Sequence, residues 1–314
     1  MSNNSIIFDN VSKFYGEVLG INKVNLTIEP GITSLVGPNG SGKSTLMNLM
    51  TGLIQPTQGS ISILGMDPMD TEELFSKVAY CTQFDSFPRG MTGYQFIYTF
   101  LQLQGRNDKS CQKTAEKAIE RVGLTDAMHR KVDAYSKGMR QRIKLAQALA
   151  HDPQVLILDE PLNGLDPMAR AETIGLFREF AEQGLHVIIS SHILHEVDMI
   201  SDQVILINQG YIIAEGQIHD VRNEMEDHPV QFSIITPFAR EIASELLKFD
   251  HIVEIAIHKN KGGLTLRSLE ADLFYKDFNR LMSDSDYTIE TMEPSDEDVN
   301  AVYEYLIGNT GGAL

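Results

Sequence analysis

Gly37-Pro38-Asn39-Gly40-Ser41-Gly42-Lys43-Ser44 decides how the rest of the chain reads. Two glycines five positions apart are followed at once by Lys and Ser, between an apolar β-rich run, Thr33 to Val36, and a helix-like run, Ser44 to Leu53. Glycine lets the backbone curl until successive N–H groups face one anion, and the start of the next helix adds the positive end of its dipole. In this pattern Lys43 reaches the β and γ phosphates of a nucleotide, and the Ser44 hydroxyl is placed to hold Mg²⁺, with Thr45 beside it. An ordinary Gly-rich turn is the competing reading, and the strand–turn–helix context counts against it.

Outward from this loop, β-rich and helix-like runs alternate through about residue 219, with further apolar strands at Val155 to Leu158 and His186 to Ser190. That rhythm predicts an α/β domain with a largely parallel sheet. A mostly helical stretch interrupts it, and Met139, Ile143, Ala146 and Ala150 mark one face of a helix ending before Pro153. The expectation is a helical subdomain over about 84–153 inserted in the sheet domain. After Gln217 the composition shifts: residues 220–314 hold 19 acids and 8 bases, which is −11 of a total charge of −17. A boundary near 220 follows, giving domains 1–219 and 220–314. The second reads as strand (Gln231 to Ile235), helix (Phe238 to Phe249), hairpin (Val253 to Leu266), helix (Leu269 to Met282), strand (Tyr287 to Met292) and a last helix. This order suits a small ferredoxin-like α+β domain.

Composition sets limits. With 42% hydrophobic and 22% charged residues, 314 residues can bury a sizeable core. No run approaches the roughly 18 to 20 apolar residues needed to span a bilayer. The first ten residues do not resemble a signal peptide, and two cysteines, Cys81 and Cys111, make a poor disulfide framework. The expected place is therefore the cytoplasm. The acidic balance disfavours nucleic acid as a partner.

Val155-Leu156-Ile157-Leu158-Asp159-Glu160 is an apolar strand that ends in two carboxylates. Adjacent acids at the end of a buried strand need partners, and the carboxyl edge of a parallel sheet is where ligands bind. Asp159 is then placed to hold the Mg²⁺ shell through water, and Glu160 to polarise a water attacking the γ-phosphate. The plainer alternative is that both begin a solvated loop.

Tyr135-Ser136-Lys137-Gly138-Met139, followed by Arg140-Gln141-Arg142 and lying ahead of Asp159, resembles the signature motif of ATP-binding cassette (ABC) ATPases. Pro161-Leu162-Asn163-Gly164-Leu165-Asp166 is similar to the family's loop after the catalytic Glu, and Ser190-Ser191-His192 to its switch histidine. Gln83 falls where the family has the residue that senses the γ-phosphate and Mg²⁺, and Tyr15 matches the aromatic that stacks on adenine. The resemblance covers residues 6–219. It implies a P-loop NTPase of ABC type, with a RecA-like core, that binds and hydrolyses ATP with Mg²⁺. In the family, Ser136 and Gly138 would face the nucleotide of an opposing subunit, so that two cassettes sandwich two ATP molecules. His192, 32 residues beyond Glu160, would hydrogen-bond the γ-phosphate. Tyr135, Lys137 and Met139 depart from the usual Leu, Gly and Gln.

The implied catalytic residues are thus Glu160, His192 and Gln83. The nucleotide would be held by Tyr15, residues 37–45, Ser136 and Gly138, and the metal by Ser44, Gln83 and Asp159. The motif wording and the acidic tail resemble the branch that pairs with export-type (ABC-2) permeases. The implied partners are a separate transmembrane permease, holding the chain at the inner face of the membrane, and a second ABC subunit. An importer ATPase with a regulatory tail and a non-transport ABC ATPase are the alternatives. Phe84, Phe87, Tyr94, Phe96, Tyr98 and Phe100 crowd together directly after Gln83. They read as packing inside the helical subdomain, as an exposed groove for a helix of the membrane partner, or as a mixture. Thr92 with Gln95 forms a capping box, so a helix should start there.

Overall fold

The computed structural model describes residues 4–69, 72–191, 197, 200–217, 230–258, 262–285 and 287–294. They form two compact units, 4–217 and 230–294. Strands β1 (Ile6–Tyr15), β2 (Val18–Ile28), β3 (Gly31–Val36), β4 (Gln58–Ile63), β5 (Val78–Cys81), β6 (Val155–Leu158), β7 (His186–Ser191), β8 (Gln203–Asn208) and β9 (Tyr211–Gln217) build the first unit. Its described helices of six residues or more are α1 (Lys43–Met50), α2 (Glu72–Lys77), α3 (Gly93–Leu103), α4 (Asp108–Arg121), α5 (Lys137–Leu149) and α6 (Pro167–Glu182).

The central sheet runs β5-β6-β7-β3-β8-β9, parallel except for the antiparallel edge strand β9. Every residue of β6 and β7 is buried, as a parallel strand covered on both faces requires. The period of two then sorts side chains to opposite sides. Leu156 and Leu158 pack with apolar residues of α3, α4, α5 and α6, while Val155 and Ile157 pack with α1 and the antiparallel strands. Each fully buried Leu or Ile contributes about 1.5–3 kcal/mol, so the strands that present the carboxylates are held on both sides.

A second sheet, β2-β1-β4, is wholly antiparallel, and the expectation of a largely parallel sheet did not contain it. Its β1–β2 hairpin turns at Gly16-Glu17 with Gly16 at φ 63, which carries no strong turn signal in sequence. The inserted helices appear as expected. Thr92 caps α3 in a complete capping box with Gln95, and Ser136 caps α5. The aromatic run divides: Phe96 is buried, Phe87, Tyr94 and Tyr98 pack against the same core, and Phe84 is 79% exposed.

The second unit is a four-stranded antiparallel sheet of β10 (Val230–Ile235), β11 (Ile252–His258), β12 (Gly263–Ser268) and β13 (Thr291–Pro294), in order β11-β12-β10-β13. With α7 (Ala239–Leu246) and α8 (Ala271–Ser283) the chain order is βαββαβ, which is the ferredoxin-like arrangement. Phe232, Phe274 and Phe278 fill its core. The last strand begins at Thr291 rather than Tyr287. Thr236 Oγ1 donates to Thr288 O and Glu290 N to Ile235 O, so 287–290 crosses the end of β10 before ladder pairing starts. The expected last helix lies outside the described residues.

Candidate active site

β3 ends at the carboxyl edge of the parallel sheet, and residues 37–42 fold back to start α1. Two glycines there are required by space: a Cβ on Gly37 would lie 2.3 Å from Ile207 O, and one on Gly42, at φ 118, would lie 2.8 Å from Gly20 O. Gly40, at φ 80, faces open space. The loop is pinned from outside, since Gly37 N donates to Ser191 O at 3.3 Å and Gly210 N to Ser41 O at 2.7 Å.

Inside it, Ser41 Oγ is buried with no hydrogen-bond partner. α1 has no side-chain cap and no acid in its first turn, so its N-terminal N–H groups keep their positive field. Ser44 is exposed and Thr45 half-buried at this end. Lys43 Nζ turns back to donate to Gly37 O and to Pro38 O at 3.0 Å. Burial pushes the Lys43 ammonium below the ordinary lysine range, opposed by the nearby carboxylates of Glu160 and Asp159. Buried donors and a desolvated cation around an open glycine make an anion cradle.

β6 delivers the two acids. Asp159 N donates to Cys81 O at 2.9 Å, which anchors the strand end to β5. Burial raises the Asp159 carboxyl above the usual range; the bond from Ser190 lowers it, the Glu160 charge raises it, and Lys43 and Lys144 lower it. Glu160 sits at φ 46, a left-handed conformation that costs a non-glycine residue about 1–3 kcal/mol and that clusters at active sites. Ser190 Oγ supports both residues: it donates to Asp159 Oδ1 at 2.7 Å and accepts from Glu160 N at 2.7 Å. Two amides then converge on one carboxylate oxygen, Gln83 Nε2 at 2.8 Å and Asn163 Nδ2 at 3.1 Å from Glu160 Oε2. Gln83 and Glu160 are 77 positions apart in sequence, and the β5–β6 pairing brings them together.

Ser190 and Asn163 were not among the expected site residues. Ser190 had one signal, a polar residue closing an apolar strand, but its bonds cross 30 and 31 positions. The substitution S190A removes one hydroxyl that holds both acids. It is expected to destabilise the chain by about 1–3 kcal/mol and to slow ATP turnover by about 10-fold to 10²-fold. Thermal unfolding and steady-state rates check this, and unchanged values of both would remove Ser190 from the site.

Tyr15 is 46% exposed at the end of β1. Its ring lies against Gly20, where an added Cβ would meet it at 2.9 Å, and its hydroxyl is 3.5 Å from Thr45 Oγ1. Lys13 Nζ lies 5.3 Å from the ring centroid. An exposed aromatic face therefore stands beside the start of α1. His192 lies outside the described residues.

Among the described residues neither Ser136 nor Gly138 hydrogen-bonds the phosphate loop, and Ser136 Oγ accepts from Met139 N at 3.2 Å. Gly138 has a packing reason within its own chain, because a Cβ there would lie 2.8 Å from Ala169 Cβ on α6. The departures from the family wording have local causes too. Tyr135 is buried and donates to Ala127 O at 2.7 Å, beside Gly93 of α3. The Lys137 side chain extends over Gly164, at φ 65, in the loop that follows Glu160.

Comparison with known proteins agrees with this geometry. Residues 21–163 match the family model described as ABC transporter. The chain is 31% identical over 307 residues to the bacitracin transport ATP-binding protein BcrA of Enterococcus faecalis, covering 96% of each. It is 30% identical over 258 residues to the Nod factor export ATP-binding protein I of Rhizobium etli, covering 77% of this chain and 81% of that one. A dimeric ATP-binding cassette, MJ0796, bound to ADP and phosphate after hydrolysis, superposes with a TM-score of 0.61 at 25% identity, over 68% of this chain and 98% of that one. The phosphate loop, the acid pair and the relatives lead to one conclusion: the chain belongs to the ABC transporter family, as one of its ATP-binding, ATP-hydrolysing subunits.

Proposed function

We propose that this ATPase powers a separate permease that moves its substrate outward, and that it does so as half of an ATP sandwich. The observation that carries the reading is the meeting of Lys43, Asp159, Glu160 and Gln83 around one open glycine loop. The names of the bacitracin transport and Nod factor export relatives support the outward direction. Among the described residues no helix is long and apolar enough to cross a membrane. The permease would hold the chain at the inner face of the membrane.

The cradle fits a nucleotide triphosphate. The N–H groups at the uncapped start of α1 and the unpartnered Ser41 hydroxyl can donate to phosphate, Lys43 neutralises β and γ charge, and Tyr15 offers a face to adenine. The oxygen set of Ser44, Gln83 and Asp159 suits Mg²⁺, a hard cation that would neutralise phosphate charge when bound. Glu160, held by its backbone to Ser190 and by its carboxylate to Gln83 and Asn163, takes a proton from the attacking water. As the new P–O bond forms, the bond to the bridging oxygen breaks and ADP leaves. His192 would orient that water.

Ser136 and Gly138 open α5 without a hydrogen bond to this loop among the described residues, which suits service to the nucleotide of a second ABC subunit. S136R should then leave ATP binding to the monomer intact and block ATP-driven dimerisation and turnover. Size-exclusion chromatography with and without ATP, beside a binding titration, measures this. Normal dimers from S136R would contradict the shared site.

Residues 220–314 are proposed as an accessory domain, regulating or capping the dimer. Its bases interleave with its acids, as in Arg267–Glu254 at 3.3 Å and Lys248–Glu245 at 2.6 Å, which reduces repulsion between copies.

A further inference from the structure

β11 is an edge strand of the four-stranded sheet, with β12 as its neighbour on one side. The opposite edge, β13, is blunted: it has four residues and ends in Pro294. β11 has seven, Ile252-Val253-Glu254-Ile255-Ala256-Ile257-His258, with no proline and a single acid, Glu254. A bulge between Ile252 and Glu254 disturbs its start, but from Glu254 to His258 its register against β12 is regular. A regular edge rich in β-branched residues is a template for another strand. Ile257 stands opposite the buried Leu264 and is still 44% exposed, so the apolar layer is open on this side.

Alternation sorts the regular part into two faces. Ile255 and Ile257 stand opposite Leu266 and Leu264, and Ile255 packs against the core that contains Phe232. Glu254, Ala256 and His258 take the other face, opposite Arg267, Thr265 and Gly263. There Glu254 Oε2 accepts from Arg267 at 3.3 Å, and His258 Nε2 lies 2.7 Å from Thr265 Oγ1. Glu254 Oε1 and His258 Nδ1 take no part in these two bonds.

We propose that β11 pairs antiparallel with β11 of a second copy of this chain, about a two-fold axis at Ala256. This rests on the accessory-domain reading above and gives it a structure: a continuous eight-stranded sheet across two copies. The residues select the register. Centred on Ala256, Glu254 of each copy faces His258 of the other, Ile255 faces Ile257, and Ala256 faces its own counterpart. Polar then meets polar and apolar meets apolar along the whole regular part. Centred on Ile255, Glu254 would face Ala256 and His258 would face Ile252, which matches neither. The polar face of the joint carries Glu254, His258 and Arg267, so the acid excess of residues 220–314 is not concentrated there. Five residues a side bury less than the roughly 1,200 Å² of a stable interface, so pairing follows the ATP sandwich, which raises the effective concentration to about millimolar. The plainer alternative is that β11 stays in water.

The test is disulfide formation in full-length chains carrying A256C; the native Cys81 and Cys111 are buried and do not compete. In the proposed register the two Cβ atoms at 256 lie about 4.5–5.5 Å apart. A256C should give a linked dimer at least about 10-fold faster with ATP and Mg²⁺ than without, and at least about 10-fold faster than K276C, at an exposed position on α8. A mixture of E254C and H258C chains should also link. E254C alone should not, since its two copies lie about 14 Å apart at about 3.4 Å per residue. Adding E254K to A256C should slow linking by about 10-fold, and E254K with H258E, which swaps the pair, should restore most of it.

A256C linking no faster than K276C, or E254C linking as fast alone as with H258C, would overturn the proposal. A chain that stays monomeric with ATP in size-exclusion chromatography would count against the sandwich. A256C should then still link without ATP at about 1 mM chain, ahead of K276C, and failure there would overturn the strand pairing too. Linking in the proposed register with the dimer fraction and turnover of E254K unchanged would keep the pairing and remove the regulating or capping role.

Discussion

Replacing Glu160 with Gln should cut ATP hydrolysis by at least about 10²-fold while ATP still binds and dimers accumulate. Gln has the shape of Glu and keeps an amide oxygen that can accept from Gln83 and Asn163, so the strained turn at φ 46 and its supports survive. What it loses is a carboxylate able to take a proton from water. In the proposed mechanism binding and closure precede that step, so the variant should stop at the closed dimer. Size-exclusion chromatography with ATP and Mg²⁺ reads the dimer, and phosphate release reads turnover. A monomeric, fully active E160Q would take Glu160 out of the mechanism.

K43A should have an effect of similar size, through binding rather than proton transfer. Lys43 is a desolvated cation whose ammonium bonds the carbonyls of Gly37 and Pro38 and lies near Asp159 and Glu160. Without it, phosphate charge in the cradle meets two carboxylates without the ammonium that offsets them. Turnover should fall by about 10²-fold to 10³-fold, and ATP affinity should fall with it. The fold should persist, because removing a half-desolvated charge also removes the cost of burying it. Calorimetric ATP titration and a circular dichroism melt separate these effects; unaltered affinity with unaltered rate would contradict the assignment.

The parts of the site visible in sequence were those whose chemistry is local. The phosphate loop carries its glycines, Lys43 and Ser44 within eight positions, and Asp159-Glu160 closes a four-residue apolar strand. The ferredoxin-like order of the tail was legible for the same reason, since alternation and helix faces are local patterns. Pairing is not. The β2-β1-β4 sheet depends on Ile6 meeting Ile63 and Ile28, which no local period specifies. Ser190 shares its hydroxyl between two acids some 30 positions away, and Asp85 finds Arg140 across 55. Gly138 shows a further limit: its sequence position suggested close approach to a nucleotide, while the structure gives it a neighbour at Ala169 that requires glycine in any case. Tyr135 departs from the family wording because its hydroxyl has a buried acceptor in Ala127 O.

The central claim is that each ATP is hydrolysed between the phosphate loop of one subunit and the Ser136 end of α5 from another. Mixing S136R with K43A tests it most directly. Each variant alone should be inactive. In a mixed dimer both defects fall in one composite site and the other is intact, so random pairing should restore up to about a quarter of wild-type turnover. Two different affinity tags, purified in sequence, establish that mixed dimers form. Recovered activity in that doubly tagged fraction is the predicted result, and an inactive doubly tagged fraction would contradict the shared site.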